Sequence, residues 1–466
     1  MTHNSIASQT QAGIRVHGQI NSFFSKFHIG KMLHRCGIRK RHGHSVRSLT
    51  QAIFTLPFSG QNFYRGIVIN PDQPFGKDAA YELLNGVRHN WRKLLLLLAK
   101  RIFTVFNRLT DEDRESVLIV DDSTYDRSRS KAVELLTRVR DHSTGKYIKG
   151  FRMLTLCWSD GASCLPIDFC LLSSADASKR VAQASKSMDR RCCAYQRRRE
   201  ATQKATSHLK DMVARALKGG LTAKYLLMDS WFTMPATIAS VADQLPVIGM
   251  VKKIKTVHYR FGGHNLDLMS IYRRLKKRPG RAKILASAHV SLSSGLPCKL
   301  VFVRDRGKGD WLAIVSTDTQ LPDEDIVRIY GKRWDIEVFF KMIKQHLNLA
   351  KEVQCRDYDA LIGHTSIVFM RYMFIAYHCR LSSDHRSFGD LFHACCEEIR
   401  DISFVEALLR ANTVSNGNPD ESNRGVVSEN DRILFLRGDG SNVEYLGSFE
   451  KQVHALLCES RKLSFK

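Results

Sequence analysis

The sequence predicts an α/β fold: strands alternating with helices, interrupted by a β-rich insertion, between a helical N-terminal segment and a helical C-terminal region. Three observations predict it. Residues 1–110 carry helix-period apolar stripes and no strand alternation. From Glu115 onward, short apolar runs alternate with amphipathic helical stretches, the pattern of an α/β core. Three strand-like runs then follow one another between residues 284 and 316 with no helix between them.

Composition narrows the function. The chain has 466 residues, 43% hydrophobic and 25% charged, which suits two to four globular domains and excludes a disordered tail, a coiled coil or a collagen. Its net charge is +26 and its pI about 9.7. Such an excess points first to nucleic acid, then to an anionic membrane surface, then to a merely basic enzyme. No membrane span is expected: Leu94–Ala99 is far shorter than the roughly 20 residues a span needs, and Ile367–Ala376 is broken by Arg371. The N-terminus shows no secretion signal. The 12 cysteines include the adjacent pairs Cys192–Cys193 and Cys395–Cys396 but no C-x-x-C, so a reducing cytosol is expected rather than structural zinc or a disulfide framework.

The elements follow in order. Helices are expected at Asn21–Leu33, Val46–Leu56 and Lys77–Phe106, with scattered Arg and Lys that suit DNA docking or simply a helical bundle. Ser116–Val120 reads as a strand ending in Asp121-Asp122, followed by strands Met153–Trp158 and Cys164–Leu172 around the turn Ser159-Asp160-Gly161. Lys179–Lys218 is strongly basic and helical from Gln196 to Leu217. Tyr225–Met228 is a strand ending at Asp229, then Thr233–Gln244 a helix and Pro246–Val251 a strand. The basic stretch Lys252–Lys283 leads into strands Ile284–Leu292, Cys298–Val303 and Trp311–Ser316, an antiparallel insertion. A long helix, Asp323–Leu349, opens with three acids that suit its positive end. Ala360–Cys379 is a mostly apolar core helix, and Asn412–Asn430 a polar, turn-rich and flexible segment of an acidic tail. The expected domains are 1–110, 111–350 with the insertion at about 253–318, 351–411, and 412–466.

Acids at strand ends are natural functional groups, because the sheet holds them and the next loop exposes them. Asp121 or Asp122, Asp229 and Glu337 are the candidates. Clustered carboxylates repel unless cations neutralise them, and hard oxygen donors select Mg²⁺ or Mn²⁺. Two such ions about 3.5–4 Å apart suit phosphoryl chemistry. Any one acid could equally be a turn former. On one helix, at about 100° per residue, Tyr330, Arg333, Glu337 and Lys344 fall within an arc of roughly 60°. That stripe is either the edge of a site or a surface Arg333–Glu337 pair worth a few tenths of a kcal/mol. His142, His208 and His364 could be ligands or bases, but a chain with 18 histidines needs no such role.

The spacing Y-x-x-R-x-x-x-E-x-x-x-x-x-x-K, from Tyr330 to Lys344, resembles the signature of bacterial transposases of the "insertion sequence four" family. The order VDDS, strand pair, MDSWF, β-rich insertion and signature helix also agrees, and the resemblance covers about residues 110–380. It implies a DDE enzyme with a ribonuclease-H-like core, a helical DNA-end-binding domain and Asp121 or Asp122, Asp229 and Glu337 as the catalytic, metal-binding triad. Asp121, directly after Val120, is the favoured first acid. It further implies that Arg333 and Lys344 meet DNA phosphates, that Tyr330 helps hold a base rotated out of the duplex, and that Trp311 stacks on that base or else packs the insertion. The partner implied is double-stranded DNA, both inverted-repeat ends and target, bound by a homodimer in the bacterial cytoplasm at the nucleoid, with no membrane. The reaction implied is cut-and-paste transposition with one or, more in keeping with the chemistry, two Mg²⁺ or Mn²⁺ ions. Lys179–Lys218 and Lys252–Lys283 are expected to follow the phosphate backbone. A non-catalytic DNA-binding relative and a ribonuclease-H-fold nuclease are the alternatives.

Overall fold

A computed structural model describes residues 18–110, 114–141, 144–184, 188–305 and 310–382. His142, the Cys395–Cys396 pair, the helices expected after residue 382 and the acidic tail lie outside the described residues.

The N-terminal segment is helical: α1 at 18–26, α2 Ile29–Arg35, α3 Val46–Thr55, α4 Lys77–Leu84 and α5 Trp91–Leu109. Two expected helices are broken. His28 takes a left-handed conformation (φ 51°) that separates α1 from α2. The run Asn85–Asn90 interrupts Lys77–Phe106, and the Asn90 side chain accepts the Lys93 N–H to start α5 afresh.

The core is a mixed α/β structure on one sheet. Its first four strands are β1 Val117–Asp126, β2 Thr137–Arg140, β3 Tyr147–Ser159 and β4 Cys164–Leu172. After α6 Cys193–Ala201 and α7 Ala205–Lys218 come β5 Tyr225–Met228, α8 Pro235–Val241 and β6 Val247–Val251. Then follow β7 His258–Phe261, β8 His264–Asp267, α9 Leu268–Arg274, β9 Ile284–Ser291, β10 Pro297–Arg304 and β11 Trp311–Ser316. The chain continues through α10 Asp323–Gly331, α11 Trp334–Gln345 and α12 Tyr358–Ser382. The strand order is β2-β3-β1-β5-β6-β11-β10-β9-β7-β8, with β4 also paired to β3. β1, β5 and β6 are parallel neighbours, whereas β3 runs antiparallel to both β1 and β4.

Three differences from expectation bear on the site. The first strand does not end at Asp121-Asp122 but runs on to Asp126, because the unexpectedly long β3 pairs with it as far as Gly150. The insertion contains β7, β8 and α9 as well as the three expected strands, and it is fused to the core: β11 pairs with β6 from Ala313↔Val251 to Ser316↔Ile248. The expected helix Asp323–Leu349 is two helices, broken at Lys332-Arg333, so Tyr330 sits on α10 and Glu337 on α11.

α12 is long and apolar enough to cross a membrane by length and composition, but its apolar window is wholly buried among α3, α4, α5, α11 and β4. Arg371, fully buried on it, donates from Nε to Phe54 O (3.0 Å), from Nη1 to Leu347 O (3.1 Å) and from Nη1 to Glu352 (2.8 Å). Arg371 thus satisfies orphan carbonyls at the end of α3 and ties the N-terminal helices to the core. The nine described cysteines are all free thiols.

Candidate active site

The acids are brought together by strand register. β1 and β5 are parallel and paired up to Val120↔Met228, so Asp121 and Asp229 are the next residues on adjacent strands. Strands lie about 4.8 Å apart, which sets the two carboxylates side by side. The loop after Asp229 is held tightly. Asp229 Oδ1 accepts the Trp231 N–H (2.7 Å), and the Thr233 hydroxyl bonds both Asp229 O and Met250 O. This fold-back needs Gly249, since a Cβ there would stand 2.0 Å from Thr233 Cγ2.

Alternation along β1 separates the two candidate first acids. Asp121 and Ser123 face α11: Arg333 Nη1 lies 3.3 Å from Asp121 Oδ2, and Lys344 Nζ donates to Ser123 Oγ at 2.6 Å. Asp122 faces the other way and pairs with Arg152 Nε at 2.9 Å. Arg333 also reaches Glu337 Oε1 at 2.5 Å, so one guanidinium, 14% exposed, joins Asp121 to Glu337. The Arg333–Glu337 pair is therefore part of a three-residue bridge and not an isolated surface contact.

Electrostatics follow from this crowding. Burial, and then the charge of Asp229, push Asp121 well above the usual carboxylate range, although Arg333 opposes them. Burial pushes Asp122 up to about 6 against the pull of Arg152. Burial lowers Lys344. The Tyr330 hydroxyl is buried beside Arg333, and burial raises it strongly.

The donor set fits a hard divalent cation in its chemistry: carboxylate oxygens only, with Asp121 and Asp229 as adjacent like charges that such an ion would neutralise. Among the described residues no three His, Cys, Asp or Glu side chains are gathered closely enough to hold a metal ion. Arg333 takes the position between Asp121 and Glu337 that an ion shared by them would need.

The tryptophans differ in exposure, and of the two readings open for Trp311 its contacts match packing. Trp311 is 6% exposed; its ring stacks on Tyr272 (centroids 4.5 Å, 29°) and meets Phe302 edge-on at 5.1 Å. It packs the insertion. Trp231, two residues past Asp229, is 55% exposed. Lys252 Nζ lies 3.1 Å from its ring centroid, and the guanidinium of Arg152, the partner of Asp122, lies 5.9 Å away. The sequence reading passed over Trp231; its signal was the M-D-S-W-F run, where one aromatic (Phe232) is buried and the other is not.

The two described candidate histidines, His208 and His364, sit in packing contacts. His208 Nε2 meets Glu200 O at 3.1 Å, and His364 is buried against Glu352 at 2.5 Å. The basic stretch Lys179–Lys218 is also less available than expected. Arg197 and Arg198 are sunk in ion pairs with Asp359 and Glu134, and Arg215 Nη2 pairs with Asp168 at 2.7 Å. Much of Lys252–Lys283 is exposed, including Arg273, Arg274, Lys276 and Lys277.

Over much of its length the chain is similar to known proteins. Residues 60–283 match the model for DDE superfamily endonucleases, and residues 193–374 match that for the transposase DDE domain. The Sinorhizobium fredii protein named "Putative transposase y4zB" is 28% identical over 144 residues, 29% of this chain and 40% of that relative, so the chain spans less than half of its length. Among solved structures, the NurA nuclease from Sulfolobus solfataricus is 10% identical over 54% of this chain and 95% of its own, with a TM-score of 0.24 that carries no weight for the fold. DDE endonuclease domains typically use divalent metal ions. The two overlapping family matches, which together reach from residue 60 to residue 374, and the curated relative support a DDE-type transposase.

Proposed function

We propose that the protein is a DNA transposase of the "insertion sequence four" type, which cuts its element's inverted-repeat ends and joins the freed 3′-hydroxyls to target DNA. The observation that carries this reading is the register of β1 and β5, which sets Asp121 beside Asp229 and, through Arg333, within one guanidinium of Glu337. The strand order β4-β3-β1-β5-β6, with β1, β5 and β6 parallel and β3 antiparallel to its neighbours, supports a ribonuclease-H-like core. Asp121 rather than Asp122 is the first acid of the triad, because Asp122 faces away and is engaged by Arg152.

Asp121, Asp229 and Glu337 would hold the divalent cations, Mg²⁺ or Mn²⁺, which when bound supply an activated water and neutralise the leaving oxygen. Arg333 has two states in this reading. Without DNA it balances Asp121 and Glu337; with DNA it turns to the phosphates flanking the cut. Lys344, held by Ser123 at 2.6 Å, supplies fixed positive charge on the same side. Trp231 offers the indole face nearest Asp229, and an aromatic platform offsets part of the cost of unstacking a base. The exposed cations of Lys252–Lys283 follow the backbone, and two copies of the chain bring two ends together.

The test pairs cleavage with binding. Asp121→Asn, Asp229→Ala and Glu337→Ala abolish Mg²⁺-dependent cutting of a duplex carrying the element's end, while a gel shift shows binding retained. Asp122→Asn keeps most of the cutting. Near wild-type cutting by any of the first three would remove the triad.

A further inference from the structure

β2 and the first residues of β3 form a partly exposed two-stranded ribbon that neither the acids nor the insertion accounts for. Its register pairs Arg138 with Lys149 and Arg140 with Tyr147. Directly opposed residues of an antiparallel pair share a face, so Arg138, Arg140, Lys149 and Tyr147 line one side, while Val139 and Ile148 line the other. Arg138, Arg140 and Lys146 are exposed, and Tyr147 is the most exposed large ring among the described residues, at 73%. This is unlike Arg197 and Arg198 of α6, which are engaged by Asp359 and Glu134.

The ribbon's place is fixed relative to the acids. Asp121 pairs with Thr155 on β3, and Tyr147 lies eight residues along the same strand. At about 3.3 Å per residue that is roughly 26 Å. The ribbon continues beyond the carboxyl end of β1, the end from which Asp121 and Asp229 open. Its base is pinned: Thr124 Oγ1 donates to Asp141 Oδ1 at 3.3 Å, and a Cβ on Gly150, where β1, β2 and β3 meet, would stand 2.2 Å from Tyr125 O.

We infer that this face is a second DNA-docking surface, which grips the sugar-phosphate backbone of duplex DNA at a set distance from the cut. Charge complementarity selects the partner. Arg138 and Arg140 recur every second residue on one face, Lys146 adjoins them, and a two-stranded ribbon is narrow enough for the major groove. With a rise of about 3.4 Å per base pair, 26 Å places the contact about 7–8 base pairs from the scissile phosphate. The distance rests on the proposed cutting site; the docking itself does not.

The experiment measures binding of the full chain to a fluorescent 40-base-pair duplex in EDTA, from low to moderate salt. The variants are Arg138→Ala/Arg140→Ala/Lys146→Ala together, Arg140→Ala alone, and Tyr147→Ala, each with its melting temperature. Each lost phosphate contact removes about 0.9 from the log–log salt slope. The triple variant is therefore expected to lose about 2–3 from the slope with its melting temperature unchanged, and Arg140→Ala about 1. Should the triple variant unfold, Arg140→Ala decides alone. Unchanged slopes in a folded variant would overturn the inference, as would loss of self-association with DNA binding intact, which would make this face a contact between copies. Cutting assays with Mg²⁺ separate the two readings: slopes that fall in a chain that never cuts keep the ribbon and remove the transposase mechanism, whereas cutting with unchanged slopes does the reverse.

Discussion

Glu115 clamps the signature helices to the strand that carries Asp121, and removing its charge tests whether that clamp sets the site. Its carboxylate takes two hydrogen bonds from Arg328 (2.6 and 2.9 Å) and one from Lys332 (3.2 Å), spanning more than 200 residues of sequence. The Arg328 contact holds Glu115 down to about 2 from its ordinary 4.5, with burial opposing and Lys332 adding to the effect. A shift of that size corresponds to about 3 kcal/mol at most. Arg328 is half exposed, so solvent screening reduces the expected contribution to about 1–2 kcal/mol. The sign follows from linkage. The folded state binds this proton less readily than the unfolded chain. The stabilisation is therefore complete above pH 4.5 and is lost as pH falls from about 4.5 to about 2. Glu115→Gln should lower the urea-unfolding free energy at pH 7 by about 1–2 kcal/mol. It should also flatten this part of the wild-type loss below pH 4.5. Cutting should fall as well, because α10 leads directly into Arg333 and Glu337. Equal unfolding curves at pH 7, or an undiminished acid loss in the variant, would refute the clamp.

Three further outcomes are expected. Trp231→Ala leaves the melting temperature near wild type and impairs the steps that need an unstacked base by about 5- to 150-fold, from stacking of roughly 1–3 kcal/mol; Trp311→Ala instead lowers the melting temperature by removing a core ring. Thermal denaturation beside a time course of nicked and fully cut ends tells them apart. Arg371→Leu, which leaves buried Glu352 to His364 and takes the guanidinium from the Phe54 and Leu347 carbonyls, costs about 3–5 kcal/mol, read by chemical denaturation. Gly249→Ala forces Thr233 away from its place, so the variant remains folded by circular dichroism but cuts slowly because Asp229 has moved.

The sequence made the α/β class and most strand centres legible, since each is local. Tyr225–Met228 and Trp311–Ser316 were readable to the residue because an apolar run bounded by polar residues needs no partner to define it. What escaped depends on partners distant in sequence. β1 runs past Asp121-Asp122 only because β3 is there to pair with it, and no local pattern announces Asp122, Thr124 and Asp126 as strand. β2 was missed because T-R-V-R has one apolar residue in four. The break at Lys332-Arg333 interrupts a pattern that is helical by period, with no Pro to mark it. Which of Asp121 and Asp122 faces α11 could not be read from the sequence; that orientation rests on Arg152 on one face and Arg333 on the other. Counting charge misled for Arg197 and Arg198, whose partners Asp359 and Glu134 lie about 160 residues after them and 64 before.

The fusion of the insertion to the core has a mechanical meaning. An insertion tethered by two loops could swing like a door, and a tug on its cationic arm would be absorbed at the hinges. Here β11 is laced to β6, β6 to β5, and β5 ends at Met228, one residue before Asp229. A load applied to that arm is carried across the sheet through the backbone ladders to the end of β5, beside the carboxylate. The arm is thus a lever with no free play, and Gly249, at the crossing of β5, β6 and β11, is its fulcrum.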